Sequence, residues 1–151
     1  MRKFNRKNDE MRQIIVEKDY IKNSDGSCLI SFGDTKVICS ANFEPAVPKW
    51  LKNSDSGWIT AEYSMLPGST STRNKRESKA GKQNGRTTEI QRLIGRSLRS
   101  IANLKKLQGS QIILDCDVIQ ADGGTRTTSI NGSFIALSLA IENLNKKGII
   151  K

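Results

Sequence analysis

The sequence contains no histidine. That absence removes the side chain most often used for proton transfer, and it excludes Cys–His or Ser–His nucleophilic pairs and Cys/His zinc sites within the chain. The three cysteines, Cys28, Cys39 and Cys116, form no CxxC pair, so neither a zinc ribbon nor a thioredoxin-like motif is present. No apolar run approaches the ~20 residues of a membrane span. The N-terminal MRKFNRKNDEMRQ lacks the apolar segment of a secretory signal. No membrane partner and a cytoplasmic location are therefore expected. Chemistry must rest on arginine, lysine, carboxylates, hydroxyls, backbone amides and a magnesium-type ion.

What is abundant is positive charge: 25 Lys and Arg against 15 Asp and Glu, a net charge of +10. Such a chain attracts polyanions, without the balance deciding between nucleic acid, a membrane surface and plainly solvated lysines. Its 151 residues suit one domain with a real core.

SCLISFGDTKVICSANFE, residues 27–44, alternates apolar and polar residues on both sides of Gly33-Asp34 and predicts a β-hairpin with Cys28 facing Cys39. In a reducing compartment these two are expected as free core thiols. QIIVEKDYI upstream predicts another strand, with Asp25-Gly26 turning into the hairpin, so the chain opens as an antiparallel meander. Trp58 to Leu66 reads as a strand ended by Pro67. Residues 68–85 form a long basic loop with Arg73, Lys75, Arg76, Lys79 and Lys82; it has no aromatic residue, so it offers phosphate contacts or plain solvation rather than base stacking.

Beyond the loop, Ile90, Leu93, Ile94, Leu98 and Ile101 predict an amphipathic helix capped by Thr87 or Thr88, which puts Arg86 at the positive end of the helix dipole. Arg92, Arg96 and Arg99 fall on a different face, as a solvated or subunit-pairing surface or as an RNA contact. QIILDCDVIQ, residues 111–120, predicts a buried strand. A second helix follows, with Ile130, Phe134, Leu137, Ile141 and Leu144 at helical spacing and Gly148 as its stop. The fold class is thus α/β, in the two-layer α+β sense, a meander leading into a mixed sheet packed with helices.

Two junctions carry the parts of an anion site. Arg86 lies at one helix start; at the other, Gly123 and Gly124 let backbone approach a ligand closely, and Thr125, Arg126, Thr127 and Thr128 supply hydroxyls and a forked donor. Asp115 and Asp117 share one face of a strand; they read as a magnesium pair or, with more weight, as carboxylates bonded to neighbouring backbone or to arginines of the basic helix. Asp122 shapes the turn before Gly123.

GWITAEYSMLP, GKQNGRTTEIQRLIGRSLR and DCDVIQADGGTRTTSINGS, together with the hairpin, resemble in order the signature segments of bacterial ribonuclease PH. The resemblance implies a phosphorolytic 3′-5′ exoribonuclease acting on precursor tRNA and other RNA 3′ ends, with inorganic phosphate as co-substrate, Mg2+ in the full-length enzyme, and a homo-oligomeric ring, a hexamer of dimers. It implies phosphate binding by Arg86, Gly124, Thr125 and Arg126, and tRNA or subunit contacts by Arg73 and Arg76. Gly68 stands where the family usually has an arginine. The resemblance also implies that residues 1–151 are one truncated domain, with the catalytic and metal-binding carboxylates beyond Lys151, no metal site in this chain, and sheet edges and apolar surface left uncovered. The alternative implied by those absent carboxylates is a catalytically inert RNA-binding or ring-forming subunit, and phosphorolysis by the 151-residue piece alone is not expected.

Overall fold

The computed structural model describes residues 5–150. Five strands form one mixed sheet in the order β1-β2-β3-β5-β4: β1 Ile14–Lys18, β2 Gly26–Phe32, β3 Thr35–Glu44, β4 Trp58–Met65 and β5 Gln111–Gln120. All neighbours are antiparallel except β4 and β5. The hairpin turns at Gly33-Asp34, with Phe32 opposite Thr35 and Gly33 at φ 58°, as a tight two-residue connection requires. The predicted α/β class and the opening meander are both present.

Helix α1 is a single turn, Glu77–Ala80; α2 spans Gly85–Arg99 and α3 Thr125–Lys146. Strand alternation sends Cys28, Ile30, Val37, Cys39, Ala41, Ile59, Ala61, Tyr63, Ile112, Leu114, Cys116 and Val118 to one face, where α2 and α3 bury them. The three cysteines lie side by side across β2, β3 and β5, all buried and free.

The α3 stripe departs from the spacing prediction. Its buried residues are Thr125, Thr128, Ser129, Gly132, Ser133, Ala136, Leu137, Ala140 and Leu144, whereas Phe134 is 49% exposed and Ile130 and Ile141 are half-buried. Close approach explains this choice. A Cβ on Gly132 would lie 2.6 Å from Cys39 Sγ, and one on Gly26 would lie 2.3 Å from the Ala136 carbonyl. Small residues let α3 rest on the sheet, and larger ones in that stripe would hold it off. In α2 the buried face is Thr87, Ile90, Ile94, Gly95 and Leu98; Ile101 lies past the helix end and is 63% exposed. α3 stops at Lys146, two residues before Gly148, the expected stop, which is left-handed at φ 68°.

The second face of the sheet carries Ile38, Ser40, Asn42, Trp58, Thr60, Glu62, Ile113, Asp115 and Asp117, and β1 and β4 are its edges. Uncovered apolar side chains, expected from the sequence, include Met11, Ile14 and Ile15 beside or on β1. Among the described residues no helix is long and apolar enough to cross a membrane.

Candidate active site

The loop and the starts of α2 and α3 surround a cleft of about 1290 Å³. The cap of α2 is Asn84, not Thr87 or Thr88: its side chain accepts from the Thr87 amide at 2.8 Å. Asparagine is among the strongest capping residues, and here it starts the helix one residue before Arg86. The first turn of α2 contains no acidic residue, so Arg86 is a cation at the positive end of a helix, an arrangement that costs roughly 0.3–1 kcal/mol and is relieved by an anion. Glu77 of α1 reaches back to this junction, accepting from Thr87 Oγ1 at 2.7 Å and from the Asn84 amide at 3.4 Å. The long basic loop is therefore tied down at its end by a carboxylate, and at its root by Ala121 N donating to Ser69 O at 2.8 Å.

The start of α3 is built from two successive left-handed glycines, Gly123 at φ 80° and Gly124 at φ 74°. No side chain caps this helix, so its first amides are left for another acceptor, and of this turn Gly123 and Thr125 line the cleft. The turn is clamped from outside. Arg12 Nη1 donates to the carbonyls of Asp122 at 2.9 Å and Gly123 at 3.0 Å. Thr35 Oγ1 donates to Gly123 O at 2.6 Å and accepts from Asp122 N at 2.9 Å. Both the carbonyl and the amide of Asp122 take part in this clamp.

The two junctions meet. Arg86 Nη2 donates to Thr125 Oγ1 at 3.4 Å, and Tyr63 OH, from the end of β4, reaches the same oxygen at 3.1 Å. Arg126 and Glu89 form an ion pair at 2.5 Å with both side chains about half exposed, so its guanidinium is held beside α2 by a contact worth at most ~1 kcal/mol. Gly124 and Thr125 lie in the same junction. Arg76 lines the cleft with Lys75 and Lys82, while Arg73 is exposed on the outer loop.

Asp115 and Asp117 do share a face, but their partners are neutral. Asn42 Nδ2 donates to Asp115 Oδ2 at 3.4 Å, Ser40 also bonds Asp115, and Ser64 bonds Asp117. The expected partners, backbone and α2 arginines, are replaced by side chains of β3 and β4 because the strand face turns away from α2. Burial pushes the Asp115 carboxyl up, with Glu62 and Asp117 adding repulsion; burial also pushes Asp117 up. Among the described residues no three His, Cys, Asp or Glu side chains are grouped to hold a metal ion.

Arg92, Arg96 and Arg99 separate in fate. Arg92 and Arg96 are exposed, whereas Arg99 folds over the edge of β4, donating to Ile59 O at 2.8 Å with its Cζ 4.3 Å from the Trp58 ring centre. Sequence reasoning missed Arg12, Thr35, Tyr63 and Glu77. Arg12 lies 110 residues from the carbonyl it holds, and no local pattern encodes such a contact. Asn84 did carry a signal, as a capping-type residue three positions before Thr87.

Comparison with known proteins gives the fold a context. Rice (Oryza sativa) Rrp46 superposes with a TM-score of 0.76 at 20% identity, over 90% of this chain and 59% of that one. The Archaeoglobus fulgidus exosome with RNA bound to its active site gives 0.75 at 21% identity, over 93% and 56%. An archaeal exosome core gives 0.66 at 22% identity, over 87% and 50%. The chain therefore spans between half and three-fifths of these structures' chains, and likeness at such identities shows the fold. Family membership rests on sequence: residues 10–141 match the model of the 3′ exoribonuclease family, domain 1. The chain belongs to that ribonuclease PH family, of which it carries domain 1.

Proposed function

We propose that this chain supplies the phosphate-binding part of a phosphate-dependent 3′-5′ exoribonuclease of the bacterial ribonuclease PH kind, which trims the 3′ ends of precursor tRNA and other RNA. The observation that carries this reading is the meeting of two cationic helix starts at Thr125, where Arg86 and Tyr63 converge on one hydroxyl. Inorganic phosphate is the co-substrate. Its oxygen attacks the phosphorus of the terminal phosphodiester, the bond from that phosphorus to the penultimate 3′ oxygen breaks, and a nucleoside diphosphate leaves. The shortened RNA keeps a 3′ hydroxyl, and the reverse reaction adds nucleotides.

Because the nucleophile is a substrate, a chain without histidine is suited to this chemistry; its contribution is positioning and charge stabilisation. Arg86, the amides at Gly124 and Thr125, and Arg126 hold the attacking phosphate. Two like unit charges 4 Å apart repel by about 4 kcal/mol at an effective dielectric of 20, and these donors offset that repulsion when phosphate meets RNA. Arg126 exchanges its exposed Glu89 partner for the ligand at small cost. Arg73 and Arg76 contact RNA phosphates or a neighbouring subunit. The carboxylates present do not fit a Mg2+ site, since among the described residues no three of them are grouped to hold an ion, so the ion of the full-length enzyme is assigned to residues outside this chain. Uncovered strand edges and apolar side chains support a homo-oligomeric ring, a hexamer of dimers.

The test uses the full-length protein with tRNA carrying extra 3′ nucleotides, with and without inorganic phosphate. Phosphate-dependent release of nucleoside diphosphates is expected. Arg86→Ala is expected to reduce that release at least ~100-fold, the scale of losing one charge-stabilising donor, while RNA binding largely survives. Unchanged phosphorolysis in Arg86→Ala removes the site assignment; absence of phosphorolysis in the parent leaves the inert RNA-binding or ring-forming subunit.

A further inference from the structure

Trp50 sits on a one-turn 3-10 segment, Lys49–Leu51, and is 66% exposed. Its ring is nevertheless buttressed from one side. It stands at 88° to Trp58 with centroids 4.8 Å apart, and Trp58 in turn lies under the Arg99 guanidinium. Arg99 is itself pinned by its bond to Ile59 O. Buttressing an indole in this way removes part of the side-chain entropy that a ligand would otherwise have to freeze.

The surroundings are basic. Residues 44–58 and 96–111 contain Lys49, Lys52, Arg96, Arg99, Lys105 and Lys106 against two carboxylates, Asp55 and Glu44, the latter accepting from Gln111 at 3.3 Å. Asp55 accepts from Gln108 Nε2 at 3.3 Å, and Gly57 N donates to Leu104 O at 2.9 Å, so the loop after Trp50 is joined to the turn carrying Lys105 and Lys106. Protein–protein contacts are depleted in lysine. A buttressed indole among cations suits instead a polyanion that carries flat bases, which is how single-stranded nucleic acid is held. Arg86 and Arg99 lie near opposite ends of α2, 13 residues and therefore about 20 Å apart, or about six nucleotides of a base-stacked strand at ~3.4 Å each.

We propose that Trp50, backed by Trp58 and Arg99, stacks a base of single-stranded RNA about six nucleotides upstream of the 3′ end. Only the position of the base relative to the 3′ end rests on the phosphorolytic reading; the stacking itself does not.

The test is equilibrium binding of a 12-nucleotide oligoadenylate and, separately, of inorganic polyphosphate, with no phosphate added and no turnover needed. Stacking contributes roughly 1–3 kcal/mol per base, so Trp50→Ala is expected to weaken oligoadenylate binding about 5- to 150-fold, with Trp50→Phe recovering most of it. Polyphosphate, which has charge but no bases, is expected to bind both variants equally. Indole fluorescence is expected to be quenched by the oligonucleotide in the parent and in Arg86→Ala alike, which separates this site from the phosphate site. Equal loss of oligoadenylate and polyphosphate binding, or no loss of either, overturns the proposal. So does a change in sedimentation with intact RNA affinity, which would make Trp50 a subunit contact. Placing single abasic positions along the oligonucleotide is expected to abolish the Trp50→Ala penalty five to seven nucleotides from the 3′ end, and a penalty that stays uniform at every position refutes the register.

Discussion

The hydroxyl of Thr35 performs two tasks for the turn before α3, donating to Gly123 O at 2.6 Å and accepting from Asp122 N at 2.9 Å. Thr35 is fully buried. Thr35→Val keeps the side-chain shape and removes both bonds. Gly123 O retains the Arg12 donor at 3.0 Å, but the Asp122 amide loses its hydroxyl partner, and a part-buried donor left unpaired costs about 1–3 kcal/mol. With a urea m-value of ~2 kcal/mol/M, the unfolding midpoint is expected to fall by about 0.5–1.5 M at unchanged slope. Thr35→Ser, which keeps the hydroxyl, separates lost bonding from lost packing and is expected to fall by less. The turn also fixes the left-handed pair Gly123-Gly124 and hence the amides of α3. Phosphate at 100 times its dissociation constant stabilises a binding protein by ~2.7 kcal/mol, and this gain is expected to shrink in Thr35→Val and to persist in Thr35→Ser. A Thr35→Val protein with the parent's midpoint and the parent's phosphate response would refute the clamp.

Asp115 yields a pH prediction. Its carboxyl is pushed up in the folded state, chiefly by burial, so the folded chain holds that proton more tightly than the unfolded chain. The resulting stability is fully present below the unfolded value near ~3.9 and is lost as pH rises through the folded value. Asp115→Asn, freed of the charge, is therefore expected to gain stability over the parent between pH 4 and pH 7 in urea titrations; a difference independent of pH refutes the burial argument. For Arg73 and Arg76, exposed on or beside the cleft, the double alanine variant of the full-length protein is expected to bind single-stranded RNA more weakly and to lower the salt slope of log K by up to about 1.4, two phosphates at ~0.7 each. Unchanged affinity, slope and assembly would make this a solvated loop.

The sheet was legible because its signals are local. Period-2 alternation around Gly33-Asp34 fixed the hairpin and its register, and the apolar run from Gln111 to Gln120 marked the central strand. α2 was legible through Ile90, Ile94 and Leu98. α3 was misread at Phe134 because hydrophobic spacing favours large side chains, whereas the distance between α3 and the sheet is set by Gly26, Gly132, Ala136 and Ala140. The cap of α2 was misplaced by a few residues because threonine and asparagine serve the same purpose, and only the Thr87 amide bond selects Asn84. In the candidate site, the residues proposed to bind phosphate, Arg86, Gly124, Thr125 and Arg126, carry visible chemistry. Those that hold it in place do not: Arg12 and Thr35 act on backbone carbonyls about 90 to 110 residues away, and such contacts exist only once the sheet has formed.

The cleft also has an internal polarity that composition hides. Lys75, Arg76, Lys82 and Arg86 line it from the loop and helix side, while Glu62, Asp115 and Asp117 line it from the sheet side. Net charge alone would place a polyanion anywhere in a +10 chain. The carboxylates exclude it from the sheet surface, because bringing a phosphate within 4 Å of a carboxylate costs about 4 kcal/mol at an effective dielectric of 20. On the proposed reading an anion is left with the rim where α2 and α3 begin, next to the uncapped start of α3. Burial and mutual repulsion raise the Asp115 carboxyl, so the acidic wall is strongest at neutral pH and fades as acid protonates it. If phosphate binds as proposed, its placement follows from the negative residues as much as from the arginines, and a chain with the same net charge but without Glu62, Asp115 and Asp117 is expected to hold anions less selectively.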